Sequence, residues 1–226
     1  MKKDYHQYIF DFENNTVRGD FEGAYAHCGD VWPSQHMTST PKHQLILNAA
    51  KDRGDNVSLL DVGCGYGDFV YFLRSRGIDA KGCDISRTAI QKGIERFGLS
   101  GMLHEHDFLS GGFFPEHSFD IVLCLGVFQY ILDKMQSGLA ALKRLLKPHG
   151  LLVLSAFIPP EPIGKEHIPD YSAFYDAVKK HFIIDECLII YKQEDVRSGK
   201  PLNECRDDLV LFCTNTLPKA SSADKE

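Results

Sequence analysis

From residue 57 onward, short apolar runs alternate with longer amphipathic stretches. VSLLDV (57–62), IDAKGCD (78–84), GMLHEHD (101–107), FDIVLCLG (119–126) and GLLVLSAF (150–157) read as strands. Between them lie helical patterns. In DFVYFLRSR, Phe69, Val70, Phe72 and Leu73 fall on one face while Arg74 and Arg76 face out, which is the 3.6-residue period. Ser86 stands where an N-cap is expected, ahead of a stripe of Ile90, Ile94 and Phe97. Lys134 to Lys147 repeats the pattern through Leu139, Leu142, Leu145 and Leu146, and Pro148 is expected to stop that helix. Alternating strands and helices predict parallel strands with right-handed crossovers, hence an open α/β sheet covered on both faces.

The two ends depart from this rhythm. After a helix around Tyr171 to His181, the β-rich runs IIDECLIIYKQEDV and DLVLFCTNT are separated by a polar loop with Gly199 and Pro201. With no crossover helix between them, they should pair as an antiparallel hairpin at or near one sheet edge. Residues 1–52, rich in aromatic side chains, fit neither strand nor helix rhythm and are read as a helical or irregular cap, with the main domain at 53–217. The small, charged tail at 218–226 is expected to be disordered.

Composition narrows the function classes. The 226 residues carry 25 basic and 31 acidic side chains, a net charge of −6 at pH 7. That balance, with no Lys/Arg-rich run, argues against a nucleic-acid partner, because neutralising phosphates needs a basic face. The longest apolar run, Ile121 to Phe128, is far short of the roughly 20 residues of a membrane span. The first ten residues lack the apolar core of a signal peptide, so a cytoplasmic location is expected. Seven cysteines without a C-x-x-C pair read as buried small hydrophobes, and no metal site is expected. His104 and His106 flank Glu105 on a predicted strand and are read as strand residues.

The chemistry concentrates in LLDVGCGYGDF, Leu59 to Phe69. A strand runs into Gly63, Gly65 and Gly67, and a helix follows at once. Such glycines permit a tight turn, let a ligand approach the backbone and allow close helix packing. Alone the pattern is a weak signal; at a strand-to-helix junction it favours a ligand over a bare turn. Asp61 before the loop and Asp68 after it would repel a pyrophosphate, and they suit a ligand with a cationic end. Asp84 closes the second predicted strand, where a carboxylate can accept both hydroxyls of a ribose. Asp107 closes the third, placed with the backbone of Phe108 to accept a hydrogen bond from a purine amine.

DVGCGYGDF, GCDIS, HEHDF, FDIVLCLGVFQYI and KPHGLLVL, in this order, resemble the motifs of the class I S-adenosylmethionine-dependent methyltransferases over about residues 40–160. The resemblance implies a Rossmann-like, doubly wound, seven-stranded and mostly parallel sheet closed by the antiparallel hairpin. It also implies S-adenosylmethionine as cofactor. On this reading Asp61, Gly63, Cys64, Gly65 and Gly67 hold the amino-acid end of the cofactor, and Asp84 takes the ribose hydroxyls. Ile85 packs on the adenine, Asp107 and Phe108 recognise its amine and edge, and Leu125 and Gly126 form the wall facing the sulfonium.

Phe128, Gln129 and Tyr130 occupy a stretch where many members carry histidine, and Gln129 cannot act as a general base. Gln129, Tyr130 and Trp32 are expected to line the acceptor pocket. Among the candidate bases His27, Asp30 and His36, the choice falls on His36 as catalytic residue. The expected reaction moves a methyl group to an N or O atom of a small molecule, such as a sugar or amino sugar, by in-line displacement. The protein would work as a monomer or homodimer. The alternatives are a nucleic-acid or protein methyltransferase, a nicotinamide-dependent oxidoreductase, and a non-catalytic cofactor-binding module. The first lacks an N-P-P-Y-like run at the fourth strand, and Asp61, Asp107 and the closing hairpin tell against the oxidoreductase.

Overall fold

The computed structural model describes residues 4–32, 40–157, 163–164, 166–191, 196–199, 201 and 207–215. The chain begins with α1 (His6–Ile9), a small hairpin of β1 (Phe10–Asp11) and β2 (Thr16–Val17), and α2 (Phe21–Cys28). The alternating body follows: α3 (Pro41–Asp52), β3 (Ser58–Val62), α4 (Asp68–Arg74), β4 (Asp79–Asp84), α5 (Arg87–Phe97), β5 (Leu103–Glu105) and β6 (Phe119–Leu125). It ends with α6 (Met135–Leu145), β7 (Leu146–Ala156), α7 (Tyr171–Lys179), β8 (Ile183–Tyr191) and β9 (Asp207–Thr214).

One seven-stranded sheet carries the body, in the order β5-β4-β3-β6-β7-β9-β8. The pairs from β5 through β7 are parallel, and β9 pairs antiparallel with both β7 and β8. This is the expected Rossmann-like sheet with its antiparallel hairpin, and β9 sits one place inside the edge. After β5 the chain returns to the far side of β3, so the strand order reverses between β3 and β6. A crevice opens at the carboxyl ends of the strands at that point.

The period of two in the central strands explains the layering. Leu60, Val62, Val122, Cys124, Leu152 and Leu154 face one core with Leu139 and Leu142 of α6 and Phe174 of α7. Leu59, Ile121, Leu123, Leu151 and Val153 face the other with Ile46 of α3, Val70 and Leu73 of α4 and Ile90 of α5. Strands buried on both faces read as continuous apolar runs, which is how they appear in the sequence. Asp61 shares the parity of Leu59, so its side chain turns toward the α3 and α4 layer.

Three local readings change. Within the 1–52 segment, α3 packs Ile46, Leu47 and Ala50 into the sheet's second core, while α1, α2 and the small hairpin form a separate aromatic layer. The helix read as reaching Lys147 ends at Leu145, because Leu146 pairs with Phe119 and already belongs to β7. Pro148 therefore lies inside a strand, where the register with β6 shifts between Phe119 and Ile121 and His149 takes a φ of 61°. The third parallel strand is shorter than expected and ends at Glu105. The 218–226 tail lies outside the described residues.

Candidate cofactor site

The glycine turn leaves β3 with φ values of 74°, 56° and 76° at Gly63, Gly65 and Gly67, a region that side chains with a Cβ rarely adopt. The Gly63 and Cys64 amides donate to the Cys83 carbonyl at 2.8 and 3.1 Å, which fastens the turn to the end of β4. A Cβ on Gly65 would stand 2.7 Å from the Tyr25 hydroxyl, and one on Gly67 would stand 2.7 Å from Leu103. Both close approaches require glycine. The Cys64 thiol tucks beneath the turn against Gly82, where an added Cβ would lie 2.7 Å from its sulfur. Burial pushes that thiol well up from its ordinary pKa, with Asp84 and Asp61 adding to the effect.

The acidic residues gather around this turn. Asp84 accepts the Gly65 amide at 2.9 Å through Oδ2 and the Ser86 amide at 2.9 Å through Oδ1. Its carboxylate thus joins the glycine turn to the start of α5, and each oxygen keeps acceptor capacity for a ligand hydroxyl. Burial raises its pKa against the lowering effect of those amides. Asp61 is 5% exposed and has no hydrogen-bond partner among the described residues. Burial, and secondarily Asp84, push its pKa up to about 7, with Lys42 opposing. Asp107 corrects the expectation of a strand end. The Asp84 carbonyl accepts the His106 amide, pairing stops, and Asp107 sits in the loop beyond with Oδ1 accepting the Leu109 amide at 3.0 Å.

A single cavity of about 1000 Å³ joins these groups. Asp61, the turn from Gly63 to Gly65, Asp84 with Ile85, and Asp107 with Phe108 all line it, as do Leu125 and Gly126 at the end of β6. Gly67 supports the turn from behind and is not in the lining. Ile85 is 54% exposed, an apolar side chain offered to the crevice. Trp32, Gln129 and Tyr130 line the same cavity, so the residues expected at the cofactor and at the acceptor are brought together. Trp32 also packs in an aromatic cluster, its ring centroid 5.2 Å from Tyr5, 5.2 Å from Tyr25 and 6.0 Å from Phe21. Gln129 Oε1 accepts the Phe157 amide at 3.5 Å.

Of the candidate bases, Asp30 lines the cavity, and burial raises its pKa with help from Asp68. His27 is turned away from it, its Nδ1 donating to the Gly23 carbonyl at 2.9 Å and its ring stacked on Tyr8. His36 lies outside the described residues. His104 and His106 rest on Phe113 and Phe114, and no group of three metal-ligating side chains occurs among the described residues.

Sequence reasoning missed the groups that tie distant segments to the site. Glu22 of α2 accepts the Ser86 hydroxyl at 2.7 Å and the Thr88 amide at 3.0 Å, holding the aromatic layer to the start of α5. Lys92 Nζ donates to the Tyr25 carbonyl at 3.1 Å beside it. Lys42 of α3 pairs with Asp208 of β9 at 2.5 Å. None of these has a local pattern, because each partner lies more than 60 residues away in sequence.

Residues 60–154 match the family model described as a methyltransferase domain. This stretch is similar to methyltransferase domains over 95 of the chain's 226 residues. The match begins at the strand leading into the glycine turn and ends in β7, so it contains the three carboxylates at the crevice. The domain is 34% identical over 135 residues to a tRNA N(3)-cytidine methyltransferase of Danio rerio, covering 53% of this chain and 38% of that one. It is 36% identical over 107 residues to a demethylmenaquinone methyltransferase of Deinococcus radiodurans, covering 45% and 44%. The matched stretches thus span less than half the length of these curated relatives. In fold it is similar to the N-methyltransferase NodS of Bradyrhizobium japonicum in complex with S-adenosylhomocysteine, with a TM-score of 0.60 and 17% identity over 82% of this chain and 92% of that one.

The residues present fit the cofactor of this domain. A buried carboxyl without a hydrogen-bond partner, Asp61, faces the cavity and suits an ammonium group. Asp84 with Ile85 offers an acceptor beside an apolar face, the pair that a ribose and a purine need. Among the described residues no helix is long and apolar enough to cross a membrane.

Proposed function

We propose that this protein transfers a methyl group from S-adenosylmethionine to an N or O atom of a small molecule. The observation that carries the proposal is the shared cavity. The residues that fit the cofactor and the aromatic wall of Trp32 and Tyr130 line one space, roofed by residues of α1, α2 and the small hairpin between them. A site enclosed by α1, α2 and their small hairpin suits an acceptor that enters whole. S-adenosylmethionine supplies, when bound, a methyl group already activated by a positive sulfur.

The chain's own contribution is placement. Asp61 neutralises a cationic amino group, Asp84 fixes hydroxyls against the turn it holds, and Phe108 and Ile85 exclude water from an aromatic ring. Gly126, with a φ of 69° and its amide held by the Ser155 carbonyl at 3.0 Å, bends the chain away at the end of β6 and keeps that wall free of a side chain. Positioning of this kind can account for a large part of a bimolecular rate enhancement. Gln129 takes no proton in the reaction. His36 is assigned as the base for an acceptor that must lose a proton, such as an alcohol.

A sugar or amino sugar is the acceptor class put forward. The net charge of −6 supports a small acceptor over a nucleic acid. A cytoplasmic monomer or homodimer is the setting proposed, and the six described cysteines are free thiols, as a reducing compartment requires. The test is methyl transfer from labelled S-adenosylmethionine to pools of nucleotide sugars, amino sugars, small amines, tRNA and protein. Label in a sugar or amine pool supports the proposal. Label confined to tRNA or protein overturns it, and the relatives of the tRNA class define that arm of the experiment.

A further inference from the structure

Five aromatic side chains line the cavity together: Tyr5, Phe21 and Tyr25 of α2, Trp32 and Tyr130. They meet at angles and do not form a flat stack. Trp32 and Tyr130 cross at 73° with centroids 6.5 Å apart, Phe21 and Tyr130 at 73° and 5.1 Å, and Tyr5 and Trp32 at 61° and 5.2 Å. Edge-to-face packing of this kind leaves ring faces turned in several directions. Each face carries the negative part of the ring quadrupole and attracts a cation held within about 6 Å of the centroid. Among the described residues no lysine or arginine lies over any of the five rings, the cation–π contacts being at Phe72, Phe97 and Phe182.

The charge of the lining has the same preference. Seven carboxyl side chains line the cavity against three of lysine or arginine. Two of those three cations are already met by carboxylates, Lys42 by Asp208 and Arg18 by Asp11 at 3.6 Å. Asp61, Asp84 and Asp107 are the carboxyls that fit the cofactor, which leaves Asp30, Asp133 and Glu166 elsewhere in the same lining. Negative charge around a partly closed space favours a cation within it. A neutral sugar or an alcohol gains nothing from that surplus. An amine gains from it, above all as its methylated, positively charged product.

We propose that the acceptor is an alkylamine, a class that includes the amino sugars, and that Tyr5, Phe21, Trp32 and Tyr130 select it by receiving its nitrogen between their faces. This rests on the reading of the cavity as an S-adenosylmethionine site and narrows the acceptor atom from nitrogen or oxygen to nitrogen. In the transfer the lone pair of the neutral amine forms the N–C bond, while the electron pair of the C–S bond stays with sulfur. Positive charge thus passes from sulfur to nitrogen, and no proton has to leave nitrogen while the new bond is made. The rings meet that charge where it arrives. Gln129, which cannot act as a base, is no impediment to such a step.

The experiment uses the full chain saturated with S-adenosylhomocysteine, whose sulfur is uncharged, and reads the fluorescence of Trp32, the sole tryptophan. Choline is the cationic probe, and dimethylbutanol, with carbon in place of the charged nitrogen, is its neutral counterpart. Choline should give a saturable change at concentrations at least about tenfold lower than dimethylbutanol. Phe21→Leu should weaken choline binding about threefold to thirtyfold, the range for one ring face, and Phe21→Tyr should restore it. Calorimetry with S-adenosylhomocysteine reports that each variant is folded, and the wild-type comparison of the two probes decides the matter where a variant is not. Equal responses to the two probes, or none to either in a chain that binds S-adenosylhomocysteine, overturn the amine assignment. So does a Phe21→Leu protein that binds S-adenosylhomocysteine and keeps wild-type affinity for choline. A wild-type chain that does not bind S-adenosylhomocysteine overturns the cofactor reading itself and this assignment with it.

Discussion

Asp84 makes the most demanding prediction, because its carboxylate belongs both to the fold and to the site. It is 8% exposed and accepts two backbone amides, Gly65 at 2.9 Å and Ser86 at 2.9 Å. Asp84→Ala leaves both donors without a partner in a place largely closed to water. A stranded buried donor costs about 1–3 kcal/mol. Part of that loss is offset, because burial already disfavours the charged carboxylate, as its raised pKa shows. A net destabilisation of about 2 kcal/mol follows, which in a chain of 226 residues lowers Tm by roughly 4–8 °C. Asp84→Asn does not restore the site, since its single carbonyl oxygen can meet one amide while its NH₂ faces the other. Thermal denaturation of the ligand-free protein reads this first effect. Calorimetry with S-adenosylhomocysteine reads the second, a further loss of about 1–3 kcal/mol in binding as the hydroxyl acceptor disappears and the glycine turn loosens. A variant with unchanged Tm would refute the tie between turn and strand; one with lowered Tm but wild-type affinity would refute the ribose role.

The remaining predictions concern charge, close approach and packing. Asp61 has a folded-state pKa near 7 against an ordinary 3.8, so the folded protein holds its proton more tightly than the unfolded chain. Stability therefore falls as pH rises from about 4 to about 7, and Asp61→Asn should raise the Tm of the ligand-free protein at pH 8 by more than at pH 5. Affinity for S-adenosylhomocysteine, measured from pH 6 to 8, should increase as Asp61 ionises and be flat in Asp61→Asn; an identical profile in both proteins would remove Asp61 from the ammonium site. Gly65→Ala places a methyl 2.7 Å from the Tyr25 hydroxyl at a φ of 56°. It should weaken ligand binding at least about tenfold, and Tyr25→Phe in the same chain should recover part of the loss by removing the obstructing oxygen; no recovery in a calorimetric titration would show that strain alone is responsible. Leu60→Ala in the fully buried central strand should cost about 2–5 kcal/mol in urea denaturation, and a loss under about 1 kcal/mol would mean the two-faced core is misdescribed.

What could be read from the sequence follows the range of the interactions involved. The parallel strands were legible because both faces are buried and each strand is a short apolar run. Ser86 was legible as an N-cap because its hydroxyl accepts the Ala89 amide at 3.1 Å, a local pattern. The glycine turn and Asp84 were legible for the same reason, all lying at strand ends where an open α/β sheet binds ligands. The short third strand was not, since its end depends on which β4 carbonyl is left for His106. The passage of β7 through Pro148 depends on pairing with Phe119, across the sheet and not along the chain. Glu22 and Lys42 carry no periodic signal at all, and their roles exist only once the aromatic layer and β9 are folded against the crevice.

The central claim is that the crevice at the ends of β3, β4 and β6 receives S-adenosylmethionine. Titration calorimetry with S-adenosylhomocysteine, with NAD as the competing ligand of similar folds, tests it most directly. The account predicts saturable binding of S-adenosylhomocysteine at one site per chain, weakened by about 1–3 kcal/mol in Asp84→Ala, and no heat with NAD. Saturable binding of NAD with no response to S-adenosylhomocysteine would contradict it.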